Sequence, residues 1–477
     1  MIFEQYYLEC LSHASYLVGD ESTGRAVVVD PQRDISLYLR DAEAHGLTIE
    51  MVIETHFHAD FLSGHLELAG ATGATIAYGE AAAPEYDFTP LAHGQRIELG
   101  QVVLEVRSTP GHTPESISVV VWDDAATLAR SDAGDADAAP YGVLTGDTLF
   151  IGDVGRPDLL TSVGVTADEL AVSLYRSLHE QLLTLPDSTR VYPAHGAGSA
   201  CGKSLSTETV STIGEQRATN YALAPMTEAE FVAAVTQGQS VAPLYFAFSA
   251  SRNKQDRPLL DEAEAPAALS LDEARDLQRG GAVVLDTREA TEFAAGHLRG
   301  AVNVGLSGRY AEYAGDIVRH DQDIVLVCDP GTELEAKIRL ARIGFDRVVG
   351  HLAEPQAAFL AHPEAVERTS RLTVAGLEQA MAEVTDLQVV DVRNPGEVAL
   401  GTVPGARVVP LAAILDRMGE LDTDRPTVVY CAGGYRSVIG ASVLRQAGFT
   451  DVSDLIGGFD AWLGGGYPIA QGSEVAG

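Results

Sequence analysis

Lysine is almost missing from this 477-residue chain, which has only Lys203, Lys254 and Lys337 among its 32 basic residues. Against 68 acidic residues the formal net charge is −36. Such a surface repels nucleic acid and anionic lipid and favours solubility, so neither nucleic acid nor membrane is expected as a partner. Cysteine is scarce too. Cys10, Cys201, Cys328 and Cys431 lie far apart and make no close pair, which excludes a disulfide-stapled framework and fits reduced thiols in a cytoplasm. No uncharged stretch approaches the roughly 20 apolar residues that a membrane helix needs. The opening MIFEQYYLECLSHASYLVGD lacks the basic flank and apolar run of a secretory signal, so none is expected. What is present is globular: 46% hydrophobic and 21% charged residues, in a length that suggests about three domains.

The first ~235 residues alternate short β-branched runs with loops rich in His, Asp and Gly. AVVVD (26–30), IEMVIETH (49–56), VVLEVRSTPGH (102–112), ISVVVW (117–122) and YGVLTGD (141–147) read as strands. Several end at a polar residue that could reach a common site. ARSDAGDADAAP (129–140) reads as a surface excursion, and residues 236–269, with SASRNKQDRPLLDEAEAPA, as a linker. Beyond it the chain repeats itself. AVVLDTREATEFAAGHLRGAVNV (282–304) aligns with LQVVDVRNPGEVALGTVPGARVV (387–409), DIVLVC (323–328) with TVVYC (427–431), and ARIGF (341–345) with RQAGF (445–449). Each copy carries a strand ending in Asp-x-Arg, Asp286 to Arg288 and Asp391 to Arg393, followed 42 or 40 residues after the Asp by a cysteine. Two α/β units of ~100 residues explain this pattern.

Thr55-His56-Phe57-His58-Ala59-Asp60-Phe61 leaves an apolar strand and precedes a helix-like run. Any one of these histidines alone would read as an ordinary loop residue. Three further pieces follow in order: Thr109-Pro110-Gly111-His112, Thr145-Gly146-Asp147-Thr148 and Tyr192-Pro193-Ala194-His195-Gly196. This order resembles the metallo-β-lactamase fold over roughly residues 1–235, with glyoxalase II and the persulfide dioxygenases as its nearest groups. The resemblance implies an αββα sandwich with metal ligands on loops at one edge. Dinuclear hydrolases of this fold read H-x-H-x-D-H, and here Phe61 stands where the last His would serve a second metal. The persulfide dioxygenase pattern implies one Fe(II) per chain on His56, His112 and Asp147, with zinc as the alternative. Two imidazoles and one carboxylate leave the open positions that an Fe(II) oxygenase needs for substrate and O₂. His58, Asp60 and His195 would then fix the ligands by hydrogen bonds. The family pattern makes Tyr192 a candidate donor to bound substrate or oxygen. Arg156 could hold its loop or a substrate carboxylate. The Gly/Ser-rich insert after His195 resembles persulfide dioxygenase–rhodanese fusions and carries Cys201, either a small buried residue or a group that receives or hands over sulfane sulfur.

Cys431-Ala432-Gly433-Gly434-Tyr435-Arg436-Ser437 follows an apolar strand and opens a helix. Loop N–H groups and the positive helix end would stabilise a thiolate or persulfide there, and Arg436 adds charge. The C-x4-R spacing is one residue shorter than a tyrosine phosphatase loop and suits a single sulfur atom. The match to rhodanese covers about 371–472, with Gly433, Gly434, Tyr435 and Ser437 as loop residues meeting substrate. In the middle copy the loop reads Cys328-Asp329-Pro330-Gly331-Thr332-Glu333-Leu334. Glu333 stands where the other copy has Arg436, two carboxylates oppose a thiolate, and Pro330 removes a loop N–H.

The sequence therefore reads as a multidomain α/β chain: a metallo-β-lactamase-like sandwich over 1–235, a linker, a degenerate rhodanese-like domain over 270–365 and an active one over 371–472, the last two with parallel sheets. The implied function is iron-dependent oxidation of a low-molecular-weight persulfide to sulfite, coupled to sulfane-sulfur transfer that gives thiosulfate. A glyoxalase II-like zinc thioesterase with rhodanese passengers is the runner-up, and a non-catalytic sulfur-binding protein a third reading. Persulfide, O₂ and sulfite are the implied partners. The sequence leaves homo-oligomerisation open.

Overall fold

The computed structural model describes residues 1–135, 137–159, 165–203, 205–239 and 241–470. The chain forms two compact units, Met1–Gln239 with Phe246–Asp261, and Ser240–Tyr245 with Glu262–Gly477. Among the described residues no helix is long and apolar enough to cross a membrane.

The first unit holds two six-stranded sheets. One runs in the order Ile2–Leu8, His13–Asp20, Arg25–Val29, Thr48–Ile53, Thr75–Gly79, Thr89–Leu91; the other runs Ser211–Thr212, Arg190–Pro193, Gly142–Gly146, Ile117–Trp122, Val103–Ser108, Arg96–Glu98. Strand periodicity builds the layers. Val27 and Val29 join Val119, Val121 and Leu144 in one apolar cluster between the sheets. Ala26 and Val28 face the other way, packing with Tyr38 and Ala42 of helix Ser36–Ala44 and Leu68 of helix His65–Thr72. On the second sheet Val120 and Trp122 pack with Leu170-flanking residues Ala171 and Leu174 of helix Ala167–Ser177. Strands covered on both faces read as unbroken apolar runs, which explains AVVV and ISVVVW. The result is the αββα sandwich expected from the sequence.

Within the segment expected as a linker, helix Phe246–Arg252 and the residues after it pack into the first unit. Asn253, 1% exposed, donates through Nδ2 to the carbonyls of His58 and Phe61, both at 2.8 Å, and accepts Ser63 N–H at 2.9 Å. Arg257 grips Glu67 at 2.5 and 2.9 Å, and Arg33 reaches the same carboxylate at 3.0 Å. A loop that carries candidate ligands is thus tied down by residues nearly 200 positions away.

The second unit carries the repeat as two parallel sheets of the same topology. The first runs Ala268–Leu269, Val348–Leu352, Ile324–Val327, Val283–Asp286, Val302–Asn303; the second runs Ser370–Leu372, Val452–Leu455, Thr427–Tyr430, Gln388–Asp391, Arg407–Val408. The Asp-x-Arg of each copy is a buried ion pair. Arg288 donates to Asp286 and to Gly296 O, and Arg393 to Asp391 and to Gly401 O. These pairs fix the turn after the strand.

Asn253→Ala is expected to leave two carbonyls and one N–H of the ligand loop unpaired, a cost of roughly 2–4 kcal/mol. Denaturant unfolding of the first unit should show it as a lowered midpoint with unchanged slope, and an unchanged midpoint would mean that these bonds contribute nothing.

Candidate functional site

Strand Thr48–Ile53 delivers the loop bearing His56 to the sheet edge, where Asp30, at the end of the neighbouring strand, catches it. Asp30 accepts Thr55 N–H at 2.7 Å and the Thr55 hydroxyl at 2.8 Å. With its proton given to Asp30, the Thr55 oxygen accepts from His56 Nδ1 at 2.9 Å. His56 Nε2 therefore bears the lone pair. His112 reaches the same state by another route: its Nδ1 lies 2.9 Å from the Arg156 carbonyl, which can only accept. The two Nε2 atoms stand 3.7 and 3.4 Å from Asp147 Oδ2.

All three residues are buried, and His56 Nε2 and Asp147 Oδ2 have no hydrogen-bond partner. Three ligand atoms converging within 4.8 Å, two of them orphaned, fit a divalent cation with two nitrogen donors and one oxygen. The electrostatics agree. Burial and the neighbouring His58 press His56 well below the ordinary imidazole range, keeping it neutral as a ligand must be. Burial would raise the Asp147 carboxyl, but His195, His56 and His112 hold it far below the usual carboxylate range.

His195 is held differently. Its Nδ1 is hydrogen-bonded to Asp147 Oδ1 at 2.7 Å, and its Nε2 stands at ion-pair distance, 2.6 Å, from Asp60 Oδ2. Burial opposes its charge, yet Asp147 and Asp60 push it well above the ordinary range. His58 faces away from the trio, with Nε2 3.1 Å from Asp30 Oδ1 and 3.5 Å from Glu54 Oε2. Burial is again outweighed, by Asp30 first, and the imidazole is pushed up to about 10. His58, Asp60 and His195 also lie close enough together to hold a cation, as do Asp30, Glu54 and His58, and Asp147, His195 and Cys201. The His58 and His195 nitrogens face Asp30, Glu54 and Asp60, whereas the Nε2 atoms of His56 and His112 both turn to Asp147 Oδ2. Phe61 fills the remaining space, its ring 4.3 Å from that of His58 and 3.9 Å from that of His13.

Cys201 comes to this cluster, beside Asp147 and His195, fully buried. Burial, then Asp60 and Asp147, push its thiol well above the ordinary range. Arg156 is turned to its own loop: Nε and Nη2 grip Asp158 at 2.8 and 2.7 Å, Nη1 donates to Ala200 O, and its backbone N–H to Cys201 O. The guanidinium is 2% exposed, and the Arg156 carbonyl meets His112 Nδ1. Tyr192 is the clearest departure from expectation. Strand alternation turns it between the sheets, where its ring packs 4.7 Å from Phe3 and its hydroxyl donates to Tyr141 at 3.4 Å. Its Cε2 crowds Gly142, at the opposite end of the strand that leads to Asp147; a Cβ there would lie 2.7 Å away. It does not join the metal cluster. Sequence reasoning missed His13, a buried imidazole with both nitrogens unpartnered, and the carboxylates Asp30 and Glu54. None sits in a motif; only an acid at each strand end hinted at the last two.

In the second unit, strand Thr427–Tyr430 ends at Cys431, and helix Tyr435–Gln446 begins four residues later. Gly434, at φ +102°, points its N–H at Cys431 Sγ at 3.1 Å. Ser437 Oγ donates to Gly434 O at 3.0 Å, and Gly433 lies in the loop between. The loop is backed by Gly458, where a Cβ would fall 2.3 Å or less from the carbonyls of Cys431 and Ala432. Arg436 is paired: its Nη atoms donate to Glu397 at 2.8 and 2.7 Å, and Glu397 overcomes burial to keep the guanidinium charged. Its charge is shared with a carboxylate rather than free beside the sulfur.

The other copy shows what loss of this arrangement looks like. Gly331 is the third residue after Cys328, as Gly434 is after Cys431, but its N–H turns to Glu333 at 3.0–3.1 Å. Cys328 is buried, and burial, with Glu333 and Asp286 adding to it, pushes its thiol up to about 12.

Comparison with known proteins agrees with both halves. Residues 8–131 match the metallo-beta-lactamase superfamily, and residues 270–354 and 373–464 the rhodanese-like domain. The persulfide dioxygenase ETHE1 of Bos taurus is 31% identical over 224 residues, 46% of this chain and 74% of that protein. A sulfurtransferase of Allochromatium vinosum is 41% identical over 93 residues, 20% of this chain and 87% of its own. A crystal structure of a metallo-beta-lactamase from Staphylococcus aureus superposes with a TM-score of 0.64 at 34% identity, covering 73% of this chain and 98% of that one. The chain belongs to the persulfide dioxygenase family of the metallo-β-lactamase superfamily and carries two rhodanese-like domains behind that unit.

Proposed function

We propose that the first unit oxidises a low-molecular-weight persulfide to sulfite, using one Fe(II) held by His56, His112 and Asp147, and that Cys431 carries sulfane sulfur to that sulfite. The observation that carries the reading is the buried trio whose lone pairs converge while Phe61 closes the space beside it. Bound Fe(II) would supply open positions and electrons through which O₂ reacts with a persulfide sulfur. The chain's own residues do the rest. Arg156 O and Thr55 fix the two imidazole tautomers, and His195 takes Asp147 Oδ1 so that Oδ2 is left for the cation. Burial of the trio excludes bulk water from the reacting sulfur. We assign Cys201 to the persulfide, which it would meet beside Asp147 and His195.

The first reaction balances as R–S–SH + O₂ + H₂O giving R–SH, SO₃²⁻ and two protons. In the second, sulfite forms a bond to the outer sulfur of Cys431–S–S⁻, the S–S bond to Cys431 breaks, and its electron pair stays on the Cys431 thiolate as thiosulfate leaves. Gly434 N–H supports that thiolate. Carrying both activities on one chain raises the effective concentration of sulfite near its acceptor. A reducing cytoplasm suits four cysteines that are all free.

Protein purified without oxygen should hold about one iron per chain, as an open two-His, one-carboxylate site requires. His56→Ala, His112→Ala and Asp147→Ala should each abolish O₂ uptake. Two zinc ions per chain with thioester hydrolysis and no O₂ consumption would instead establish the thioesterase reading. Cys431→Ser should stop thiosulfate formation while O₂ uptake continues and sulfite accumulates; Cys328→Ser should leave both rates near wild type. If Cys328→Ser is the damaging change, the active and degenerate copies are reversed.

A further inference from the structure

The helix that closes each rhodanese copy differs at one buried place. Strand Val348–Leu352 is followed by helix Pro355–Ala361, and strand Val452–Leu455 by helix Gly458–Gly464, each helix starting three residues after its strand ends. Glu354 and Gly457, just before the helices, both take a left-handed backbone, at φ +45° and +73°. Gln356 and Phe459 therefore hold the same place, second in the helix. Phe459 is 6% exposed and works as a plug. The Arg393 guanidinium carbon lies 4.0 Å from its ring centre, and its Cζ is 3.7 Å from where a Cβ on Gly401 would stand. Its N–H and that of Asp460 also hold the carbonyls of Cys431 and Ala432, at 2.7 and 3.0 Å.

In the first copy the plug is missing. Gln356 is exposed, and a cleft of about 780 Å³ opens whose lining includes Arg288 and Gly296, the counterparts of Arg393 and Gly401. Among the described residues the N–H groups of Gln356 and Ala357 do not reach the Cys328 loop. Pro355 supplies a cause. It stands where the second copy has Gly458, which is pressed so close to the Cys431 and Ala432 carbonyls that a Cβ has no room. The volume falls within the roughly 300–1,000 Å³ of small-molecule sites. Phe359, Pro363, Val366 and Leu360, the last 85% exposed, make the apolar wall. Glu292 borders it, four residues after Arg288 as Glu397 is four after Arg393. Glu397 pairs with Arg436, but Glu333 replaces that arginine here, and among the described residues the Glu292 carboxylate makes no hydrogen bond or ion pair. The exposed Arg368, just after strand Val366–Glu367, makes none through its guanidinium either. An unpaired anion and an unpaired cation bordering one apolar cleft are complementary to a zwitterion with an apolar side chain.

We propose that the first rhodanese copy is a binding module for an apolar amino acid or short peptide with free termini, held in this cleft with its ammonium at Glu292, its carboxylate at Arg368 and its side chain on Phe359 and Leu360. No sulfur step is involved, so the site stands apart from the persulfide and sulfur-transfer readings. The test is calorimetric titration of the full chain with two probes: leucyl-leucine, charged at both ends, and N-acetyl-leucinamide, which has the same side chain and no charge. Wild type should bind leucyl-leucine with a Kd below about 1 mM and the capped probe at least roughly tenfold more weakly. Gln356→Phe restores the plug of the second copy and should abolish binding, with thermal unfolding of the variant confirming its fold. Gln356→Ala keeps the cleft open and should bind as wild type does. Glu292→Gln and Arg368→Gln should each weaken leucyl-leucine roughly three- to tenfold while leaving the capped probe unchanged. Equal affinity for the two probes would overturn the proposal. So would leucyl-leucine binding that survives Gln356→Phe, or a wild type that binds neither probe.

Discussion

The Asp147 carboxylate is divided between two duties, and the rest of the first unit's site follows from the division. Oδ1 is hydrogen-bonded to His195 Nδ1 at 2.7 Å, and Oδ2 is left facing the Nε2 atoms of His56 and His112. A carboxylate in so dry a place is stable only with positive charge beside it, and His195 supplies that charge because Asp60 holds its other nitrogen. The chain of contacts runs outward from there. Asp30 fixes Thr55, Thr55 fixes His56, and Asn253 fixes the carbonyls of the same loop. His58 and His195 also stand at ion-pair distance from carboxylates, and the Phe61 ring packs 4.3 Å from that of His58.

The two rhodanese copies separate what builds the fold from what builds the chemistry. Both keep the buried Asp-x-Arg pair that closes the turn after the second strand of the repeat, and both keep the sheet order. They differ in where one N–H points. In the second copy it meets a sulfur, where a partial positive charge favours the thiolate. In the first it meets Glu333, which satisfies the same donor and adds a negative charge near Cys328. Exchanging one acceptor for another leaves the loop N–H satisfied in both copies, so the fold does not depend on which acceptor is present.

Much of this was legible in the sequence because it is local. His56, His112 and Asp147 each stand at the end of an apolar run, and a strand end is a place that a sheet brings to one edge. The repeat announced the second unit's two sheets. Direction was harder to read than position. Tyr192 lies three residues from His195, but the side-chain alternation of a strand sends it into the intersheet core. Arg156 is near the site, yet its charge is used by Asp158 two residues on. Arg436 was read as a fixed positive charge beside the sulfur, and the Glu397 that shares this charge lies 39 residues earlier. Asn253 and Arg257 could not be found at all: their partners are 190 or more residues distant, and nothing in an Asn or Arg of a polar stretch announces one.

That long-range tie changes what the segment after residue 235 means physically. A linker of polar residues should cost the domains nothing when altered. Here the polarity has a different cause. Asn253 and Arg257 are buried, at 1% and 5% exposure, and are polar because they complete backbone groups and a carboxylate that the first 235 residues leave open. The loop from His56 to Ser63 turns through several residues with no sheet partner on one side, so its carbonyls need donors from elsewhere. Supplying them from a later segment couples the geometry of the loop that bears His56 to chain beyond the sandwich.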